Sequence, residues 1–390
     1  MIDVQSQELP APVVLDDATV EAFARAASGD EAATVEGWWI EPVDYVVGTP
    51  STGALKRLKV KLAGADVPQS IFLKLLQSPK HWALIDLVPP EARTLFVTEF
   101  PWRLEQRAYV SDLGALLPEG LRLAKLYRAE ELEDERVALW VEDVRQSAAP
   151  WDLRRFERAA RALGRLAARR RPGQVEPFYP RPNAVLNDAL RYYVDGRVTI
   201  GALPLLDDDA AWAHPLLESA WPGGPDADVR GRLQALATRI EEFFDGLEQR
   251  PHTYAHGDAS PQNLLVPADA PDTFVVIDWG FDCPLAVGFD LGQLLIGLAH
   301  AGELRTDELR AVHDAIIPAY VDGLREEGWE PGEDAVRYGF VASLLLRSAF
   351  TAIPFERFGE GYSPELAAHF AERIALTKFL LDLADELPQV

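Results

Sequence analysis

The sequence predicts an α+β protein in two lobes, a small antiparallel sheet followed by a larger, mostly helical part. Between Trp38 and Val144, short apolar and β-branched runs alternate with Gly, Pro and Ser, the pattern of strands joined by turns. From Trp151 onward apolar residues recur at helical spacing instead. A chain of 390 residues is long enough for two cores, and 48% hydrophobic with 26% charged residues is an ordinary globular composition. The expected division is an N-terminal extension (1–36), a sheet lobe (37–145) and a helical lobe (146–390).

Charge narrows the partners. With 38 basic against 62 acidic residues the net charge is −24, so nucleic acid, which needs a basic face, is not an expected partner. The excess favours a cationic substrate by long-range attraction, but acidity spread over the surface for solubility accounts for it equally well. No apolar run approaches the roughly 18 residues that cross a bilayer. The start MIDVQSQELPAPVV lacks a basic secretory signal, so a cytoplasmic protein without membrane contact is expected. Cys283 is the single cysteine, which excludes an intramolecular disulfide.

In chain order, DDATVEAFARAA opens the first helix, with Asp16 or Asp17 as N-cap. WWIEPVDYVV and ALKRLKVKL read as strands joined by the loop Gly48-Thr-Pro-Ser-Thr-Gly53. It departs from a full GxGxxG run, yet a glycine-bounded loop can lay N–H groups and hydroxyls over phosphates. Gly48, Ser51, Thr52 and Gly53 are therefore candidate nucleotide contacts. SIFLKLL (70–76) is a strand with one lysine, Lys74, between apolar neighbours, which points to a buried, paired cation. Pro89 and Pro90 open one helix and Pro101 a second. LRLAKLYRAE and VALWVEDV follow as a strand pair.

The helical part opens with DLRRFERAARALGRLAARRR, which puts Leu153, Phe156, Ala160, Leu163 and Leu166 on one face and a solvated arginine face opposite. Residues 172–226, rich in Pro, Gly and Asp, carry Tyr192, Tyr193, Trp212 and Trp221, for which substrate contact and the commoner core role both stay open. DVRGRLQALATRIEEFFDGLEQ is the next helix, and 305–390 reads as amphipathic helices.

The stretch Tyr254–Gly280, YAHGDASPQNLLVPADAPDTFVVIDWG, carries the chemistry. Leu264–Val266 and Phe274–Ile277 read as a hairpin across a Pro- and Asp-rich turn. Pairing Leu264 with Ile277 brings Asn263 beside Asp278. A carboxylate and an amide oxygen suit Mg²⁺, which takes water and phosphate as its other ligands. Asp258, five residues before Asn263, is placed to accept or orient the proton of a hydroxyl attacking a phosphate.

The order His256, Asp258, Asn263, Asp278 resembles the H-x-D-x-x-x-x-N and D-x-G motifs of the protein-kinase-like fold. HGD and IDWG are more narrowly similar to the aminoglycoside phosphotransferase and choline kinase group. The resemblance is firm over about residues 250–292, plausible over 40–145 and diffuse elsewhere. It implies a bilobal kinase-like fold with ATP or GTP as donor and Mg²⁺ as cofactor. Lys74 would then contact the α- and β-phosphates, and Glu105, in Glu105 to Tyr109, would be its partner, with Glu99 and Glu91 as competitors. The backbone from Val141 to Val144, which includes Asp143, would meet the adenine. His256 would stabilise the catalytic loop and Asp290, in GFDLGQLL, would brace it.

Only eleven residues separate Asp278 from Asp290, which leaves no room for a peptide-holding activation segment, and Ser260 stands where protein kinases typically carry Lys. Both departures argue for a small acceptor. The expected activity is transfer of the nucleotide γ-phosphoryl group to the hydroxyl of an aminoglycoside, sugar, amino alcohol, macrolide or other metabolite. A non-catalytic nucleotide-binding scaffold of the same fold, or less readily a protein kinase, is the alternative.

Overall fold

The computed structural model describes residues 8–45, 47–178, 185–220 and 228–387. Helix α1 (Asp17–Ser28) starts at Asp16, whose carboxylate accepts from the Thr19 N–H. The strands that follow are β1 (Val35–Pro42), β2 (Thr52–Leu62), β3 (Gln69–Gln77), β4 (Leu121–Leu123), β5 (Leu126–Leu132) and β6 (Arg136–Glu142). Five of them form an antiparallel sheet of order β1-β2-β3-β6-β5. Between β3 and β4 lie α2 (Pro90–Glu99), α3 (Leu104–Val110) and the short α4 (Leu113–Leu116).

In the centre of the sheet Leu73 pairs with Trp140 and Lys74 with Leu139. Alternation puts Ile71, Leu73, Leu75, Ala138 and Trp140 on one face, which α1 covers with Val20 and Phe23. The other face carries Phe72, Lys74, Leu76, Leu139 and Val141 and is covered by Tyr109 of α3 and by Val275 of the second lobe. A strand buried on both faces reads as a near-continuous apolar run, which is why SIFLKLL lacks clean alternation and why its one lysine is buried.

LRLAKLYRAE is two strands rather than the single one expected. Leu121 is buried in the core of the second lobe, so β4 leaves the first sheet and pairs in parallel with β9 (Phe274–Val276). β7 (His252–Tyr254) pairs with β10 (Pro284–Ala286), and β8 (Leu264–Leu265) is antiparallel to β9. The expected hairpin is present, but its register is one residue off: Leu264 pairs with Val276, not Ile277. Burial decides this. Leu264 and Val276 both enter the core of the second lobe, whereas Leu265 and Val275 pack between the lobes, and a one-residue slip would exchange those faces.

The helices of the second lobe begin with α5 (Leu153–Arg169), α6 (Asp188–Tyr193), the π-helical segment Val194–Ala202, α7 (Leu203–Asp207), α8 (Asp209–Trp212) and α9 (Pro215–Ala220). Then come α10 (Val229–Ala237), α11 (Ile240–Glu248), α12 (Leu291–Ala301), α13 (Leu309–Glu326) and α14 (Glu333–Leu344). α14 runs into a π-helical turn, Leu345–Ala349, and α15 (Pro364–Glu386) ends the lobe. The single helix expected over 228–249 breaks between α10 and α11, where the Thr238 hydroxyl donates back to Ala235 O at 2.7 Å.

α5 and α13 pack at the closest approach that glycine allows. A Cβ on Gly164 would collide with the Tyr320 carbonyl and one on Gly323 with the Arg161 carbonyl. The arginine face of α5, expected to be solvated, meets α13: Arg161 pairs with Glu326 at 2.7 Å, and Arg165 and Arg169 share Glu327 at 3.0 and 2.8 Å. Leu153, expected on the apolar face, is 43% exposed, because it is the first residue of the helix and precedes its contact with the core. No described helix is long and apolar enough to cross a membrane.

His300, near the end of α12, carries a pH prediction. Its Nε2 is buried without a partner, and burial first, then Arg373 and Arg347, push its pKa from 6.5 down to about 3. The unfolded chain therefore takes up a proton that the folded chain refuses. Stability is full above about pH 6.5 and falls as pH drops from there toward about 3. His300→Gln should flatten that acid loss in melting curves recorded between about pH 7 and about pH 4. Equal slopes in variant and wild type would count against this account.

Candidate active site

Backbone chemistry shapes the loop that follows β7. The N–H groups of His256 and Gly257 donate to the two carboxylate oxygens of Asp290 at 2.9 and 2.8 Å, from the start of α12. Gly257 has φ +91°, and a Cβ there would run into the Phe281 ring, so the position needs glycine. The Asp258 N–H donates to His256 Nδ1 at 3.1 Å, which puts the ring proton on Nε2, 2.9 Å from Ile277 O. Both ring nitrogens are occupied in holding the loop to β9. His256 has no lone pair left for a substrate proton.

Asp258 projects from this loop with its carboxylate gripped at both oxygens. Asn263 Nδ2 donates to Asp258 Oδ2 at 3.0 Å and to the Asp258 carbonyl at 2.9 Å. Arg347 Nη2 donates to Asp258 Oδ1 at 2.9 Å and Nη1 to the Gly257 carbonyl. The Asp258 side chain is still 32% exposed, enough to meet a ligand.

Opposite this loop, Lys74 Nζ lies 2.5 Å from Glu105 and 2.9 Å from Asp278 Oδ1. Glu105 rather than Glu99 or Glu91 is thus the partner of Lys74. Burial works against the Lys74 charge, but the two carboxylates overcome it and raise its pKa. The Lys74 ammonium holds the Asp278 carboxyl below the usual carboxylate range, while burial pushes Glu105 up. Asp278 has φ +56°, an unfavourable backbone for a side chain with a Cβ, and its carboxylate is 49% exposed.

The donor set fits a hard cation. Because Asn263 Nδ2 faces two oxygens, its amide is oriented with Oδ1 turned away, and Oδ1 has no partner among the described residues. Asp278 Oδ2 has none either, since Lys74 takes Oδ1. Two oxygen ligands, completed by water and phosphate, are what Mg²⁺ uses. No group of three His, Cys, Asp or Glu side chains able to hold a metal occurs among the described residues, so a zinc-type set is not found there.

The other expected nucleotide contacts lie on the same lobe as Lys74. Thr52 opens β2 opposite Leu76, with its hydroxyl 3.1 Å from that of Thr49, and the Ser51 carbonyl accepts from the Gln77 N–H at 2.9 Å. Gly53 packs against the end of the Gln77 side chain, while Gly48 is open. Val141 packs with Phe72, Val275 and Ile277 on the face that carries Lys74. The Asp143 side chain is engaged elsewhere, with Arg57 at 3.0 Å and the Ser70 hydroxyl at 2.5 Å, so only its backbone remains for a nucleotide.

Three features were not expected. Arg347 lies among apolar residues in SLLLRSAF, the same signal that singled out Lys74. Arg170, at the end of α5, is fully buried, donates to Asp282 at 2.7 Å and to the Tyr254 carbonyl at 2.8 Å, and lies 4.9 and 5.6 Å from the rings of Phe178 and Trp279. A cavity of about 590 Å³ lies between the linker Gln146–Trp151 and Pro261, Gln262 and Leu298, and it includes none of Lys74, Asp258 or Asp278. Of the aromatics of 172–226, Tyr193 stacks under Arg347, Trp212 donates to Leu205 O, Tyr192 is 53% exposed, and Trp221 lies outside the described residues.

No protein-family model and no curated protein matches the sequence. Among solved structures, an aminoglycoside phosphotransferase from Alicyclobacillus acidocaldarius is 13% identical, with 97% of this chain and 98% of that one covered at a TM-score of 0.52. Amicoumacin kinase, solved with AMP-PNP, Ca²⁺ and Ami, is 15% identical, with 92% and 90% covered at a TM-score of 0.47. The first likeness shows the fold: the chain has the bilobal, kinase-like architecture of an aminoglycoside phosphotransferase.

Proposed function

We propose that the protein is a small-molecule phosphotransferase, using ATP or GTP and Mg²⁺ to phosphorylate a hydroxyl group. The observation that carries this reading is the convergence of Lys74, Glu105 and Asp278 with Asp258 and Asn263 on the loops that face them. On this reading residues 37–145 bind the nucleotide, residues 146–390 carry the catalytic loop and the acceptor, and residues 1–36 are an extension. The donor places the reaction in the cytoplasm, and neither nucleic acid nor a membrane is a partner.

Lys74 binds the α- and β-phosphates, oriented by Glu105. The loop Gly48–Gly53, with Ser51 and Thr52, lies over the phosphates, and the backbone of Val141 and Asp143 meets the base. Asn263 and Asp278 would hold Mg²⁺, which would supply positive charge to the phosphates during transfer. Asp258 orients the acceptor hydroxyl and takes its proton as oxygen bonds to the γ-phosphorus and the bond to the β-phosphate oxygen breaks. His256 and Asp290 keep the loop in shape.

Nothing fixes the acceptor beyond a small hydroxyl compound, so the test is a panel. ADP or GDP release should be measured with Mg²⁺ against aminoglycosides, sugars, amino alcohols and macrolides. Stimulation by one class, abolished by EDTA, is the expected outcome. Tight nucleotide binding with no release for any acceptor would instead favour an inert scaffold of the same fold.

A further inference from the structure

The loop that carries Asp258 has no cation of its own. HGDASPQN contains neither Lys nor Arg, and Ser260 is only 8% exposed and faces Gly297 of α12 rather than solvent. The positive charge beside Asp258 comes from Arg347, far along the chain, and Asp258 is the one carboxylate paired with Arg347 among the described residues. We propose that Arg347 is a positioning residue for phosphoryl transfer, holding the Asp258 carboxylate in the orientation that takes the acceptor proton. This rests on the function proposed above.

Three observations support it. Arg347 grips the loop at two points, the Gly257 carbonyl and Asp258 Oδ1, so it fixes the backbone as well as the carboxylate. With Asn263 on Oδ2, the plane of the carboxylate is set from both ends, and each oxygen keeps a second lone pair for a hydroxyl. The guanidinium is itself held: the side chain is 15% exposed, with the rings of Tyr193 and Phe281 at 5.6 and 5.5 Å. Finally, Arg347 sits within the π-helical turn Leu345–Ala349. An inserted residue rotates the side chains that follow it, and such turns are maintained where a particular side chain must be aimed. A purely packing residue in this apolar stretch would need neither a charge nor a π turn.

The test compares wild type, Arg347→Ala and Arg347→Lys in kcat and KM with an acceptor that the wild type uses, alongside nucleotide affinity and melting temperature. Losing the grip on Asp258 should lower kcat about 100-fold, the effect of misplacing a catalytic group by an ångström. Nucleotide Kd should change by less than about threefold, because the Lys74 side of the cleft is untouched. Added guanidinium ion should restore part of kcat to Arg347→Ala and leave wild type unaffected, which loss of folding alone would not produce. Lys keeps the charge but not the two-point fork, so Arg347→Lys should fall between the two, and it carries the test if the Ala variant does not fold. Wild-type kcat in Arg347→Lys and Arg347→Ala, or a loss that guanidinium does not relieve and that follows the melting temperature, overturns the proposal alone. A wild type that turns over no acceptor overturns the proposed function and this inference with it.

Discussion

Asp258→Ala is expected to keep nucleotide affinity close to wild type and to lose turnover by about 10²- to 10⁴-fold, the range attributed to a positioned general base. The two halves of this expectation rest on different sets of side chains. The nucleotide side is organised by Lys74, Glu105 and the exposed oxygen of Asp278, none of which bonds to Asp258. The acceptor side depends on a carboxylate that is 32% exposed, and its removal takes from Arg347, itself 15% exposed, its one carboxylate partner among the described residues. Its neighbours Arg347 and Asn263 do lose a bond, and the melting temperature should therefore be recorded with the kinetics. Isothermal titration with a non-hydrolysable nucleotide and single-turnover kinetics separate the two effects. Turnover equal to wild type would remove Asp258 from the mechanism, and a parallel loss of nucleotide binding would show that the residue supports the site rather than the chemistry.

The largest effect on stability is expected at Arg170. Arg170 and Asp282 are 1% and 0% exposed, and their ion pair is completed by the Tyr254 carbonyl and by the faces of Phe178 and Trp279. Burial lowers the Arg170 pKa, and Asp282 offsets only part of that. Arg170→Leu removes the guanidinium from the buried Asp282 carboxylate, and breaking a buried pair from one side costs about 3–5 kcal/mol. The double variant Arg170→Leu/Asp282→Leu should be less destabilised than the single one, because the desolvation of both charges disappears together. Urea midpoints for wild type, single and double variants form the measurement. A double variant as unstable as the single would mean that the packing of the guanidinium among the rings, rather than its charge, is what matters. The pair also ties the end of α5 to the segment that carries Asp278 and Trp279, and the Trp279 ring lies 4.6 Å from that of His256.

Local features of the chain were legible wherever a few neighbouring residues decide them. The turn between Leu265 and Phe274 brings Asn263 toward Asp278 through contacts within one hairpin, so alternation and turn chemistry were enough to find it. Lys74 was legible because a charge inside an apolar strand needs a partner, and the proline-opened helix carrying Glu105 follows within one crossover. What was misread required knowing which of two cores a residue enters. LRLAKLYRAE has strand propensity throughout, and only the burial of Leu121 against the second lobe sends its first half to β9. The hairpin register shifted by one for the same reason.

The sequence by itself determined the order of a sheet lobe and a helical lobe, the hairpin that gathers Asn263 and Asp278, and a lysine that must be paired. These follow from periodicity, turn residues and the cost of an unpaired buried charge, all short-range properties. Only the tertiary structure decided that Arg347, separated from Asp258 by 89 positions, is its partner, and that Arg170 closes on Asp282 across 112. Arg347 interrupts an apolar helical stretch, which marks it as a charge needing a partner, whereas Arg170 stands in Arg169-Arg170-Arg171 at the end of α5, where no local pattern sets it apart from its neighbours. The identity of the partner depends on how α5, α12 and α14 pack, and helix packing is set by the whole core rather than by any window of sequence.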